Sequence, residues 1–182
     1  MWTVLFTVIQ WSAFILNASA SSSIQSNEII KQVPLRVEFA KAQNATVLVF
    51  LSARCPCSAS HESSLKELFE RFSGQGFQFI GIHSNQNEPL SEAKLYFEKA
   101  LLPFPVLDDP GARLANEFGA IKTPHVYIIN QLGKTIFQGG VDDSHKAMQP
   151  EHRFLERAIL QILANQKPDP SEVRTLGCLI KR

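Results

Sequence analysis

Thr46-Val47-Leu48-Val49-Phe50-Leu51-Ser52-Ala53-Arg54-Cys55-Pro56-Cys57-Ser58 is the segment that decides the fold. Its first six residues form a continuous apolar run, the pattern of a strand covered on both faces. The next residues turn, and a helical period begins. Leu65, Leu68, Phe69 and Phe72 fall at i, i+3, i+4 and i+7, one stripe facing a core. Cys55 therefore lies just past a strand end, and Cys57 at the mouth of a helix.

Further along, strand and helix periods alternate. Gly74 and Gly76 stop the first helix, and Phe77 to Ile82 reads as a second buried strand. Ser91 is placed to cap a helix with Ala93, Phe97, Ala100 and Leu101 inward. A short helix runs from Pro110 to Phe118 and ends at Gly119. Strands follow at Val126–Ile129 and Lys134–Gln138, joined by a turn at Gln131-Leu132-Gly133. A last helix spans about Pro150 to Asn165, with Phe154, Leu155, Ala158, Ile159, Ile162 and Leu163 inward. The order is β-α-β-α-(α)-β-β-α. Strands separated by helices pair in parallel, and the last two form a hairpin. The expected fold class is α/β, a mixed central sheet with helices on both faces.

The whole chain of 182 residues fits one domain with short extensions. Hydrophobic residues make up 45% and charged residues 19%, which excludes an ordinary disordered chain. Lys+Arg total 18 against 17 Asp+Glu, so the net charge is +1. No basic cluster is present to track phosphates, which excludes a nucleic-acid partner.

The ends read differently from the middle. Trp2 to Leu16 is mostly apolar and Asn17-Ala18-Ser19-Ala20 closes in an Ala-x-Ala shape. That is the layout of a secretory signal peptide over residues 1–20, cut after Ala20, although no Lys or Arg precedes Lys31. The apolar run is shorter than the ~20 residues of a membrane span. Export places the domain, residues 21–165, in a secreted or periplasmic and oxidising setting. Residues 166–182, with Pro168 and Pro170, lack apolar periodicity and read as an extended C-terminal arm carrying Cys178.

Three cysteines are too few for a disulfide scaffold, and an odd count with a tight pair points to thiol chemistry. Backbone N–H groups at a helix N-terminus favour thiolate over thiol, and Arg54 adds a neighbouring cation. Both are expected to make Cys55 reactive near neutral pH. A Cys55–Cys57 disulfide closes a small ring that departs from preferred geometry and is readily reduced. His61, His83 and His145 read as surface or turn histidines. Asp108-Asp109 before Pro110 reads as helix capping and Asp142-Asp143 as loop-ordering. Glu62 is a candidate proton acceptor near the cysteines.

The arrangement resembles the thioredoxin-like superfamily, in its redoxin branch of alkyl hydroperoxide reductase/thiol-specific antioxidant type. The resemblance is carried by Phe50 to Cys57, by Gly81-Ile82-His83-Ser84-Asn85 and by Gly119-Ala120-Ile121-Lys122-Thr123-Pro124-His125. Asn130-Gln131-Leu132-Gly133-Lys134, Gly140-Val141-Asp142-Asp143 and the tail Gly177-Cys178-Leu179-Ile180-Lys181 continue it. It implies a three-layer fold, with Cys55 as the nucleophile and Thr123-Pro124 as a cis pair facing the cysteines. Pro124, Thr123, Arg54 and Ser52 are then expected at the substrate groove. Thioredoxins place the second cysteine where this chain has Ser58, so Cys57 and Cys178 both stand as candidates for the second thiol. The arm is long enough for Cys178 to reach across the domain, at about 3.3 Å per extended residue.

The leading expectation is a thiol–disulfide oxidoreductase without organic cofactor or metal. Its partners are protein disulfides or dithiols and an external thiol reductant. A thiol peroxidase is the first alternative. Ser52 fits its pattern, Leu48 stands where such enzymes carry proline, and Arg54 and Arg113 are the candidate cations. The second alternative is a Cu(I)-binding metallochaperone using Cys55, Cys57 and either His125 or His61.

Overall fold

The computed structural model describes residues 42–145 and 150–182. The leader expected over residues 1–20 and the start of the domain at residue 21 lie outside them.

Four of the five strands in the main sheet fall where the apolar runs predict them. They are β1 (Ala45–Leu51), β2 (Phe77–His83), β5 (His125–Asn130) and β6 (Thr135–Gly139). The fifth, β3 (Val106–Asp108), has three residues, too few for a recognisable period. The sheet order is β3-β2-β1-β5-β6. β1 pairs in parallel with β2 and β2 with β3, while β5 runs antiparallel to β1 and β6 to β5. This is the mixed sheet expected from the sequence.

Alternate residues of each strand feed two cores. Ala45, Val47, Val49 and Leu51 of β1 face one side, where α1 (Pro56–Phe72) and α4 (Phe154–Leu163) cover them. Leu65, Leu68 and Phe72 of α1 meet Leu155, Ala158 and Ile159 of α4 there. Leu48 and Phe50 face the other side, with Ile80, Ile82, Tyr127 and Ile129, beneath α3 (Arg113–Phe118). Leu65 is fully buried, and its truncation to Ala costs about 3 kcal/mol.

The remaining helix, α2 (Leu90–Ala100), differs in detail from the sequence reading. Pro89, not Ser91, is its N-cap residue, because the turn before it is already fixed by Pro89 at φ −56°. Ala93 is buried and Phe97 packs on the first core, but Leu101 is 77% exposed. Leu101 takes the left-handed conformation that ends the helix, which turns its side chain away from the stripe. α4 begins at Phe154 rather than Pro150, with Arg153 as its cap. Pro110 to Ala112 form a 3-10 turn before α3, with Gly111 inside it at φ 73° and the junction at Ala112, the left-handed N-cap of α3 at φ 51°.

The C-terminal segment lies against the domain. Glu172 bridges to Gln138 of β6, and β7 (Cys178–Leu179) pairs antiparallel with β4 (Lys122–Thr123). Gly139 leaves room for Val173, since a Cβ there would collide with the Val173 side chain. Ile180 is buried in the second core. Among the described residues, no helix is long and apolar enough to cross a membrane.

Candidate functional site

β1 ends at Leu51 and α1 begins at Pro56, so Cys55 becomes the N-cap residue of a 17-residue helix. It is 2% exposed. Its sulfur accepts the Ser58 N–H at 3.4 Å, doing the work of a capping oxygen. The Cys55 thiol donates to the Thr123 carbonyl oxygen at 3.1 Å. Thr123-Pro124 is a cis pair, as the resemblance implies, and lies opposite the helix mouth.

β7 completes the site. Cys178 sits in register with Thr123. The Sγ atoms of Cys55, Cys57 and Cys178 all lie within 4.8 Å of one another, with no disulfide among them. Both candidates for the second thiol are therefore beside Cys55. The tail is seated by backbone contacts on each side. Ile180 N–H donates to the Ile121 carbonyl at 3.0 Å and Lys181 N–H to Asn85 Oδ1 at 2.8 Å. Gly177, at φ 151°, lies flat on Thr123, and a Cβ there would collide with the Thr123 carbonyl oxygen.

The electrostatics of the thiols differ. Burial opposes ionisation of Cys55, but hydrogen bonds from the Cys178 thiol, the Thr123 hydroxyl and the Ser58 N–H outweigh it and hold Cys55 below the ordinary thiol range. The Thr123 hydroxyl is buried, with no hydrogen-bond partner of ordinary geometry among the described residues, and its nearness to the sulfur favours the thiolate. Cys178 is pushed up to about 12, by burial first and then by its bond to the Cys55 sulfur. The expected cation is placed elsewhere. Arg54 is exposed and pairs with Glu92 of α2 and the Asn87 carbonyl, so the donors at the sulfur set its acidity.

Two buried histidine–carboxylate contacts hold this arrangement, and sequence reasoning missed both. Glu88 accepts the Ala53 N–H at 2.8 Å, the Ser52 hydroxyl, and the Asn85 side-chain amide at 2.9 Å. His83 Nε2 meets it at 3.0 Å, and Nδ1 meets Asp108 at 3.1 Å. Burial opposes the Glu88 charge, but these donors, Ser52 first, keep its carboxyl below the usual range. The loop into Cys55 is thus clamped from beneath. Ser52, expected at the groove, is 2% exposed and part of this clamp.

His61 forms the second pair. Its Nε2 is 3.0 Å from Asp142 Oδ1 and its Nδ1 is 2.7 Å from the Cys57 carbonyl oxygen. Both acceptors are oxygens, so both ring nitrogens carry protons. Burial would lower the His61 pKa, but these two bonds outweigh it and raise it. Asp142 is held low against its own burial by His61 and by Ser144. The reading of His61 and His83 as surface or turn residues is corrected: both are buried, because carboxylates compensate their polarity, Asp142 for His61 and Glu88 with Asp108 for His83. Asp142 does more than order its loop, whereas Asp143 accepts the Glu151 and His152 N–H groups as a loop-ordering residue would. His145 is exposed.

The remaining candidates lie off the sulfurs. Glu62 accepts from the Tyr96 hydroxyl at 2.6 Å. Asp109 accepts the Leu114 and Ala115 N–H groups and so caps α3 as expected. His125 packs on Tyr127 and is lowered to about 4 by burial, hence neutral. Arg113 is exposed on α3, and Leu48 is buried in the second core.

Fold and site together define a thioredoxin-like protein of redoxin type. The sequence pattern of the AhpC/TSA family matches residues 20–137, more than half of the chain, and the chain belongs to that family. No curated protein matches it. Among solved structures it is similar to an uncharacterized conserved protein from Geobacillus kaustophilus. That match has 27% identity and TM-score 0.73, and covers 81% of this chain and 82% of the other. A hypothetical protein from Sinorhizobium meliloti matches at 24% identity and TM-score 0.70, covering 79% and 82%. A secreted disulfide oxidoreductase from Mycobacterium tuberculosis shares the fold at 17% identity and TM-score 0.51, covering 69% and 84%.

Proposed function

We propose that the protein is a thiol–disulfide oxidoreductase in which Cys55 is the nucleophile. The observation that carries this is the Cys55 sulfur at the head of α1, supplied with hydrogen-bond donors and flanked by two further thiols within 4.8 Å. The Cys55 thiolate attacks one sulfur of a partner disulfide. The other partner sulfur leaves as thiolate and takes a proton, and a mixed disulfide forms. A neighbouring thiol then loses its proton and attacks the Cys55 sulfur. The reduced partner leaves, and two electrons have passed from the protein's thiols to it. Cys57 and Cys178 are the two thiols within reach. An external thiol reductant restores the site.

The mixed disulfide also lowers the barrier to its own resolution. Cys178 is held protonated in part by the charge on Cys55, and that charge disappears when Cys55 becomes disulfide-bonded. Thr123 and Pro124 form the wall opposite the nucleophile. The peroxidase alternative is less well supported. The Ser52 hydroxyl is committed to Glu88, Arg54 to Glu92, and Arg113 is exposed on α3. The signal-peptide pattern read over residues 1–20 supports action outside the cytoplasm, where disulfide substrates persist.

Trapping tests the reading. A Cys57→Ser/Cys178→Ser double variant should accumulate a mixed disulfide at Cys55 with a disulfide-bonded protein, seen by non-reducing gel and peptide mapping. A Cys55→Ser variant should form none. Equal adduct formation by both would overturn the assignment.

A further inference from the structure

The three sulfurs are also a complete ligand set for a soft metal ion. Cys55 and Cys57 come from the head of α1 and Cys178 from β7, which pairs with Thr123 of the cis pair. We propose that the fully reduced protein binds one Cu(I) ion in a three-thiolate site formed by Cys55, Cys57 and Cys178. The site goes beyond the exchange reaction and stands or falls separately from it.

The donor chemistry selects the ion. An all-thiolate set favours soft Cu(I) over the harder divalent ions. Sulfurs about 2.3 Å from a central ion in a trigonal plane lie about 4 Å from one another. The observed spacing, within 4.8 Å, needs only small side-chain movements to close on an ion. Zinc wants a fourth ligand. Among the described residues, this group contains three sulfurs and no carboxylate or imidazole.

The ligand set differs from the cysteine–histidine combination expected from sequence. Both nitrogens of His61 are taken, by Asp142 and the Cys57 carbonyl. His125 packs on Tyr127, with ring centroids 4.6 Å apart. The third donor is instead delivered by the tail.

That donor is held in place before any ion arrives. The Thr123–Cys178 register, the close seat of Gly177 on Thr123 and the buried Ile180 fix the backbone on either side. Little freedom remains to be lost on binding. A single positive ion among three thiolates leaves net negative charge, which the N-terminus of α1 offsets. Metal and disulfide use the same sulfurs and exclude each other.

Anaerobic titration of the reduced protein with Cu(I) held by bicinchoninate tests the site, with X-ray absorption on the loaded protein. We expect one ion per chain, three sulfur neighbours and no imidazole. Cys178→Ser should weaken binding about 100-fold or more and leave two sulfurs. His125→Ala should bind as the wild type does, and excess Zn(II) should not displace the copper. Two-sulfur or imidazole-containing coordination in the wild type overturns the proposal. So does failure to retain copper against the chelator, or unchanged affinity in Cys178→Ser. The sulfur count in the wild type decides the matter even if the variant's tail is loosened. A protein that forms the Cys55 mixed disulfide yet retains no copper would sink this site and leave the exchange reading intact. The converse result would do the opposite.

Discussion

Cys178 sits directly across a two-residue β-pair from Thr123, the residue whose carbonyl oxygen lies 3.1 Å from the Cys55 sulfur. One strand edge therefore both walls Cys55 and presents it with a second thiol. The tail thus places a thiol donor beside Cys55 and helps to hold its pKa down.

The acidity can be read directly. Cys55 should alkylate with a pH midpoint below the ordinary thiol value of 9.0, because the donors around it outweigh its burial. Cys178→Ala removes the thiol donor and should move the midpoint upward. The rate of iodoacetamide labelling against pH, followed by mass spectrometry of the Cys55 peptide, gives both values. A midpoint that ignores the substitution would show that Cys178 does not tune Cys55.

The seat of the tail depends on Gly177. Its φ of 151° and the clash of any Cβ at this position with the Thr123 carbonyl oxygen leave no room for alanine. Gly177→Ala should cost about 2 kcal/mol or release the tail outright. Limited proteolysis should then clip the segment after Val173 while the two cores stay folded. Gly74→Ala, with open space around its Cβ position, is the control and should resist as the wild type does.

The clamp under the cysteine loop should be costly to break. Glu88→Gln removes the charge that faces His83 and weakens the bonds to Ser52 and Ala53. Weakening hydrogen bonds to a buried charged acceptor costs about 1.5–3 kcal/mol. Urea unfolding checks the size, and a loss below about 0.5 kcal/mol would mean that the clamp is not structural.

The His61–Asp142 pair gives a pH signature. His61 is raised from its ordinary 6.5, so its contribution is complete below pH 6.5 and is lost as pH rises through its folded pKa. Asp142 is lowered from 3.8, so its contribution is present above that value and is lost as pH falls through its folded pKa. The stability difference between wild type and His61→Gln should be largest between these two values and shrink on the alkaline side. Urea melts from pH 4 to pH 9 would measure it, and a flat difference would exclude a protonated His61.

Much of the fold was legible because burial repeats along the chain. The run from Thr46 to Leu51 and the stripe Leu65, Leu68, Phe69, Phe72 each say which faces are covered, and β1 and α1 lie where they indicate. β3 and β7 were not legible, since three and two residues are too short to show a period. The thiols were visible at once, whereas their supports were not. Glu88 and Asp142 look like ordinary loop acids until the fold brings them to His83 and His61. The sequence does not show such pairing: Asp142 lies 81 residues from His61, and Glu88, five residues from His83, meets it only through the turn that follows β2. Cys178 was visible as a thiol within reach, but its seat beside Cys55 depends on how Gly177 and Ile180 dock.

The central claim is that Cys55 carries disulfide exchange. The most direct measurement is the rate of insulin disulfide reduction, with dithiothreitol as reductant, by wild type and Cys55→Ser. Wild type should accelerate the reaction over dithiothreitol alone, and Cys55→Ser should fall to that background while keeping the wild-type fold by circular dichroism. A Cys55→Ser variant as active as the wild type would contradict the account.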